Sequence, residues 1–252
     1  MIEFATIARF GLLVVRPGML IMAAPSFGAA HAPATVRLGL TVLLALMLAP
    51  VVAVPVLSTS VGLGVVVARE LAIGFALALA IRALMAGAEF GGHLTSSQLG
   101  MSMGAIINPA SGVRNNLMSA LYANIALLTF FAVNGHHMFL RTLTQSYVSL
   151  PIGAGGVDPS LVRSVMRMLG LVFVLGVRLA APVIIILLIV EVALGLITRA
   201  APALNIMAIG TPLRLMIGLL VVAALVPVVP GIIARFVSTI AELGMSMAGA
   251  FR

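Results

Sequence analysis

The feature that most constrains this chain is the recurrence of apolar runs about as long as a bilayer is thick. Crossing a ~30 Å hydrocarbon core takes about 20 predominantly apolar helical residues. About six stretches approach that length: 4–24, 38–57, 61–85, 117–133, 165–197 and 213–229. A short amphipathic tail follows at 232–251. Composition agrees, with 62% hydrophobic and 8% charged residues where soluble domains have about 45–50% and ~25%. The expected fold is therefore an all-α membrane protein, a single membrane domain over residues 1–252 with no room for a sizeable soluble one. A soluble enzyme, a nucleic-acid binder and a disordered chain all fit this pattern poorly.

Charge sharpens that reading. The 14 basic residues are all Arg, against 6 carboxylates, for a net charge of +8. A nucleic-acid binder gathers such charge into a patch. Here Arg is spread singly from Arg9 to Arg252, mostly flanking apolar runs, as membrane-edge and bundle charge is. Because Arg sits at run ends on both sides, it assigns no orientation. Cysteine is absent, which excludes disulfides and thiolate metal sites. A cleaved signal peptide competes for the first run, since Ala29-Ala30-His31-Ala32 offers small residues. Arg16-Pro17 interrupts that apolar stretch and Glu3 spoils a basic start, so a retained helix is expected.

Two segments break the simple pattern. The fifth run is longer than one span and contains Pro182. Proline inside a helix removes a hydrogen bond and crowds the preceding turn, so a kinked helix or a hairpin turning near Ala180-Ala181-Pro182 is expected. Between the third and fourth runs, Glu89 to Asn116 is too polar to span and too rich in Met and Ile for a solvated linker. Gly and Ser there predict a loose loop, with turns at Asn108-Pro109 and Ser111-Gly112.

The residues carry little catalytic chemistry. His136 and His137 are adjacent and point about 100° apart on a helix, while His31 and His93 stand alone. No metal cluster is expected. His93 near Ser96 and Ser97 is a weak nucleophile arrangement, and GMSMG lacks the features of a phosphate loop. Charges inside apolar runs are more informative, because they are costly in lipid and face a partner or water. Arg69, Glu70 and Arg82 share one run, and Arg82 and Glu89 lie on nearly one helix face. Glu191 and Arg199 stand about two turns apart. The expected role for these six is ion pairing between helices or subunits rather than a proton path. Gly87 with Gly91, and Gly100 with Gly104, have the small-xxx-small spacing of close helix approach.

Several motifs, in order along nearly the whole chain, resemble the FliR family of flagellar type III export proteins. They are Asn134-Gly135-His136, Ser149 to Gly153, Gln98 to Ser102 with Asn108 to Ser111, Leu194 to Ile206, and Gly210 to Leu213. Arg16-Pro17 and the spacing of Pro25, Pro33 and Arg37 are also similar. The resemblance implies bent helical hairpins and a channel-forming, non-enzymatic subunit of an export gate, without cofactor. It implies FliP and FliQ as assembly partners, FlhB and FlhA nearby, exported flagellar proteins as substrates, and an inner-membrane basal body as location. It also implies that the segment from Gly100 to Arg114 helps plug the closed channel, with Gln98, Gly100, Met101, Ser102, Met103, Gly104, Asn108 and Pro109 as its candidate residues. Met101 and Met103 stand outside the family pattern, and Asn108 stands where an acid is familiar. Virulence-type secretion paralogues share the fold, and the NGH stretch favours the flagellar branch. A small stand-alone transporter is the reading from another class; it requires a midplane site between broken helices.

Overall fold

The computed structural model describes residues 4–23, 32–52, 54, 60–101, 117–153, 159–201 and 206–249. All regular structure among them is helical. The elements are α1 (Phe4–Ala23), α2 (Ala34–Leu48), α3 (Ser60–Gln98), α4 (Leu117–Ala132), α5 (Gly135–Ser149), α6 (Ser160–Ala200), α7 (Ile206–Leu225) and α8 (Val229–Gly249). Each apolar run has become a helix, but their lengths depart from bilayer length in both directions.

α3 and α6 have 39 and 41 residues. At ~1.5 Å per residue each is about 60 Å long, roughly twice the ~30 Å hydrocarbon core. These two alone are long and apolar enough to cross a membrane, among the described residues. The number rises to four if each bent pair makes one span: α4 with α5, bent by 67°, and α7 with α8, bent by 59°. About six runs thus yield two to four candidate spans. α2 shows why: it stops at Leu48 after 15 residues, because Pro50 has no N–H to continue the ladder.

One expectation is corrected. Residues 89–98 are not loop but the last turns of α3, which runs unbroken to Gln98. Gly91, Gly92 and the Thr-Ser-Ser stretch are tolerated because they pack: Gly91, Gly92, Thr95 and Ser96 are all buried. Of the two alternatives at Pro182 the single helix holds and the hairpin does not form, since α6 is helical from Ser160 through Pro182 to Ala200. The buried residues Leu175, Leu179, Val183 and Leu187 recur every fourth position on both sides of the proline. A turn would break that stripe and free backbone groups that an apolar surrounding cannot satisfy.

The contacts gather into two compact units interleaved in sequence. The first comprises 1–84, 130–170 and 237–252 and is centred on α1, the first part of α3 and α5. Its core includes Leu12, Ile73, Leu77, Ile81, Phe139 and Leu143. The second comprises 85–129 and 171–236. Its core holds Leu99, Met118, Val183, Leu187 and Val222.

Candidate functional site

The most concentrated polar chemistry lies in the first unit, around Arg16. This side chain is completely buried, and so is Glu70 on α3. Arg16 donates through Nε to Glu70 Oε2 and through Nη2 to Oε1 at 3.0 Å, a bidentate pair. Its remaining donors reach Ser146 Oγ at 3.3 Å and the Leu150 carbonyl at 2.9 Å. The guanidinium stands 4.4 Å from the centre of the Tyr147 ring. One cation thus holds α1, α3 and the C-terminal end of α5, whose last carbonyls lack helical partners and attract positive charge.

Pro17 explains the second half of the arrangement. Having no N–H, it leaves the carbonyl four residues back without a helical donor. That carbonyl belongs to Leu13, and the Tyr147 hydroxyl donates to it at 3.2 Å. The Arg16-Pro17 pair therefore supplies a cation and an orphan acceptor on adjacent turns, and α5 answers both. A buried pair hydrogen-bonded in this way fixes the positions of its helices.

A second locus is the elbow between α4 and α5. Asn134 is left-handed, φ 56° and ψ 32°, a conformation Asn tolerates better than most residues. Its N–H bonds the Phe131 carbonyl at 3.0 Å, and its carbonyl accepts from Met138 at 3.2 Å. Gly135 is obligatory, because a Cβ there would lie 2.5 Å from the Phe130 ring. The His136 ring packs at a tilt against Phe131, ring centres 5.3 Å apart, and against His137 at 4.3 Å. The Asn-Gly-His motif is the chemistry of a sharp bend.

In the second unit, Gln98 ends α3 and Gly100 adopts φ 76°. Gly100 N–H bonds the Ser97 carbonyl and Met101 N–H bonds that of Ser96, both at 3.2 Å. This is a Schellman stop, which requires the left-handed residue. Met101 then packs on the cluster around Leu99 and Met118. Ser102, Met103, Gly104, Asn108 and Pro109 lie outside the described residues. Gly87 and Gly91 face Leu175 and Leu179 of α6 at Cβ-limiting distances of 2.8 and 2.9 Å, so this small-residue pair does mark a close helix approach.

The remaining charges fall apart into different settings. Glu191 pairs with Arg214 of α7, and both are partly exposed. Arg199, in the last turn of α6, is exposed; eight residues of helix, about 12 Å, separate it from Glu191. Arg82 and Glu89 occupy the exposed side of α3, and Arg69 is half-buried. Among the described residues no three His, Asp or Glu side chains converge as a metal site would need. Sequence spacing missed the Arg16–Glu70 pair because it joins residues 54 positions apart. The available signal was that each interrupts an apolar run, and a buried charge requires an opposite one.

The family model of bacterial export proteins, family 1, matches residues 7–240. The chain is 29% identical over 240 residues to the flagellar biosynthetic protein FliR of Pectobacterium carotovorum, covering 94% of this chain and 91% of that protein. It is 32% identical over 214 residues to FliR of Escherichia coli K12, covering 83% and 81%. With FliR of Caulobacter vibrioides the identity is 31% over 215 residues, covering 84% and 86%.

Proposed function

Because the chain belongs to the bacterial export proteins of family 1, we propose that it is a structural, channel-forming subunit of the flagellar type III export gate. The observation that carries this reading is the outer side of α6. Only 17% of its apolar window is buried by the chain itself, while Leu188, Ile189, Val192 and Leu196 are each more than half exposed. A contiguous apolar surface of that length needs lipid or other subunits to cover it. By contrast, the best-buried charges are spent on holding helices together, which suits a structural, non-enzymatic part.

On this reading the subunit sits in the bacterial inner membrane within the flagellar basal body, assembled with FliP and FliQ, with FlhB and FlhA adjacent. Flagellar proteins pass through the assembly, and the driving energy comes from outside this chain. The Gly100 to Arg114 segment serves as a plug, launched from the Schellman stop at Gly100. Ion pairs from Arg82, Glu89 and Arg199 reach neighbouring subunits. α6 continues through Pro182, so the broken helices that a stand-alone transporter needs would have to be the bent pairs α4–α5 and α7–α8.

Deletion of the gene tests the function directly. Loss of swimming and of flagellar proteins from the culture medium, both restored by the intact gene, is the expected result. Full export without this chain would overturn the proposal. Removing residues 102–113 while assembly is retained should make the membrane leaky to small solutes, and a tight membrane would count against the plug.

A further inference from the structure

We infer that the groove between α2 and α5 is a binding site for one anionic phospholipid, with its phosphate at Arg37 and an acyl chain along Leu44 and Leu140. Two apolar cavities carry the inference, of about 520 Å³ and about 250 Å³. Both are lined by Leu44 and Leu140, where they meet. The smaller takes Leu40 and Leu43 from α2 with His136 and Phe139 from α5. The larger takes Met47 and Leu48 with Leu143 and Tyr147. Residue numbers rise together on both walls, so the helices run side by side in one direction and bound one continuous groove.

Its polarity is graded. Two buried nitrogens have no hydrogen-bond partner among the described residues: His136 Nδ1, whose residue lines the smaller cavity, and Arg37 Nε, on α2 just before the first lining residue, Leu40. Arg37 precedes Leu40 by three positions and Leu44 by seven, so it shares their helix face. His136 is on the facing wall, in the first turn of α5. At the far end the lining is Val51, Val52 and Pro151, and Tyr147 has already committed its hydroxyl to Leu13. The ligand that fits is therefore anionic at one end and apolar for the rest of its length. A buried donor without a partner is costly, and a phosphate oxygen answers the Arg37 Nε–H; His136 adds a second donor in the tautomer that carries its proton on Nδ1. An Arg guanidinium is also the side chain best suited to phosphate.

Length and polarity favour a lipid chain over a helix of another subunit. From His136 to Ser149 the α5 wall is about 20 Å long, close to one leaflet, about half of the ~30 Å hydrocarbon core. A helix of another subunit would enter the groove only with its side chains, its backbone being already paired, and an apolar one would leave Arg37 Nε unanswered. Arg37 also opens a long uncharged stretch, since the next charge is Arg69. That places it at headgroup level with the apolar groove below.

Native mass spectrometry of the full chain, released from membranes with its co-expressed partners, tests the assignment. Phosphatidylglycerol is titrated against phosphatidylcholine. The expected result is one retained phosphatidylglycerol per chain, with phosphatidylcholine retained less. Arg37→Gln should cut phosphatidylglycerol retention by about fivefold or more, from the loss of one cation at the membrane surface. The control Arg141→Gln, an exposed α5 cation, should leave retention unchanged. Equal retention of the two lipids, or no effect of Arg37→Gln, would overturn the site. Because the chain has no Cys, a benzophenone on Leu44→Cys reports the occupant separately. Cross-linking to phospholipid is expected, and cross-linking to another polypeptide would show a subunit interface instead.

Discussion

α3 and α6 are the two long apolar helices, and they are used in opposite ways. In α3, 67% of the apolar window is buried inside the chain, with a mean hydropathy of 2.0. In α6 the buried share is 17%, with a mean hydropathy of 2.8. The more apolar helix is the less buried one, the reverse of soluble proteins. α3 can carry Glu70, six glycines and a Thr-Ser-Ser stretch because protein groups satisfy Glu70 and fit closely against Gly74, Gly87, Gly91 and Gly92. α6 presents Ile, Leu and Val outward because nothing among the described residues covers that side. Hydropathy along this chain therefore reports what surrounds a helix, not how deeply its own fold encloses it.

The sharpest way to break this comparison is to remove one charge from each helix. Glu70→Ala leaves Arg16 buried without its carboxylate, which costs about 3–5 kcal/mol. The expected result is little folded chain in membranes, with a substantial part recovered by Arg16→Met combined with Glu70→Leu. Immunodetection in membrane fractions and thermal unfolding in detergent read both. A wild-type level in Glu70→Ala would show that the pair does not hold the first unit together.

Next in size is a charge placed on the outer side of α6. Ile189→Asp should cost about 2.5–3.5 kcal/mol if the site sits in an apolar surrounding, lowering membrane insertion or recovery in a complex, while Ile189→Leu is silent. An indifferent Ile189→Asp would mean that this side faces water. A smaller effect is expected from Gly218→Leu, since a Cβ there would already collide with Leu99; overpacking of this kind costs about 1–3 kcal/mol. Tyr147→Phe strips the donor from the Leu13 carbonyl and should lower stability by about 1–3 kcal/mol. The smallest effect belongs to Glu191→Gln. Its pair with Arg214 is 44% and 26% exposed, and such pairs contribute about 0–1 kcal/mol. Glu191→Gln should leave the unfolding midpoint almost unchanged, in contrast to Glu70→Ala.

The helical class was legible because run length against bilayer thickness is a one-dimensional quantity. The family was legible because its motifs are contiguous. What spacing could not give is pairing across the chain. Glu70 was visible as a costly charge, but its partner Arg16 belongs to another helix. The same limit hid the partner of Glu191, which is Arg214 and not a residue of its own helix. Residues 89–98 looked like loop because glycine and serine weaken an isolated helix. Here tertiary contact reverses that, with Gly92 set against the backbone of Met118 and Ser119. α5 was not anticipated, since its apolar content is modest and its start depends on the left-handed Asn134. Once seen, the Asn-Gly-His and Gln-Leu-Gly-Met motifs read as a bend and a helix stop, two features that local sequence does encode.

The most direct test of an enclosed α3 and an α6 that other subunits would cover is the mass of the particle this chain forms. The chain would be tagged, co-expressed with its genomic neighbours, extracted in mild detergent and weighed by native mass spectrometry. A complex with other small membrane subunits is the expected result, and it should be lost in Ile189→Asp but kept in Glu191→Gln. A stable monomer or homodimer that ignores those neighbours would contradict it.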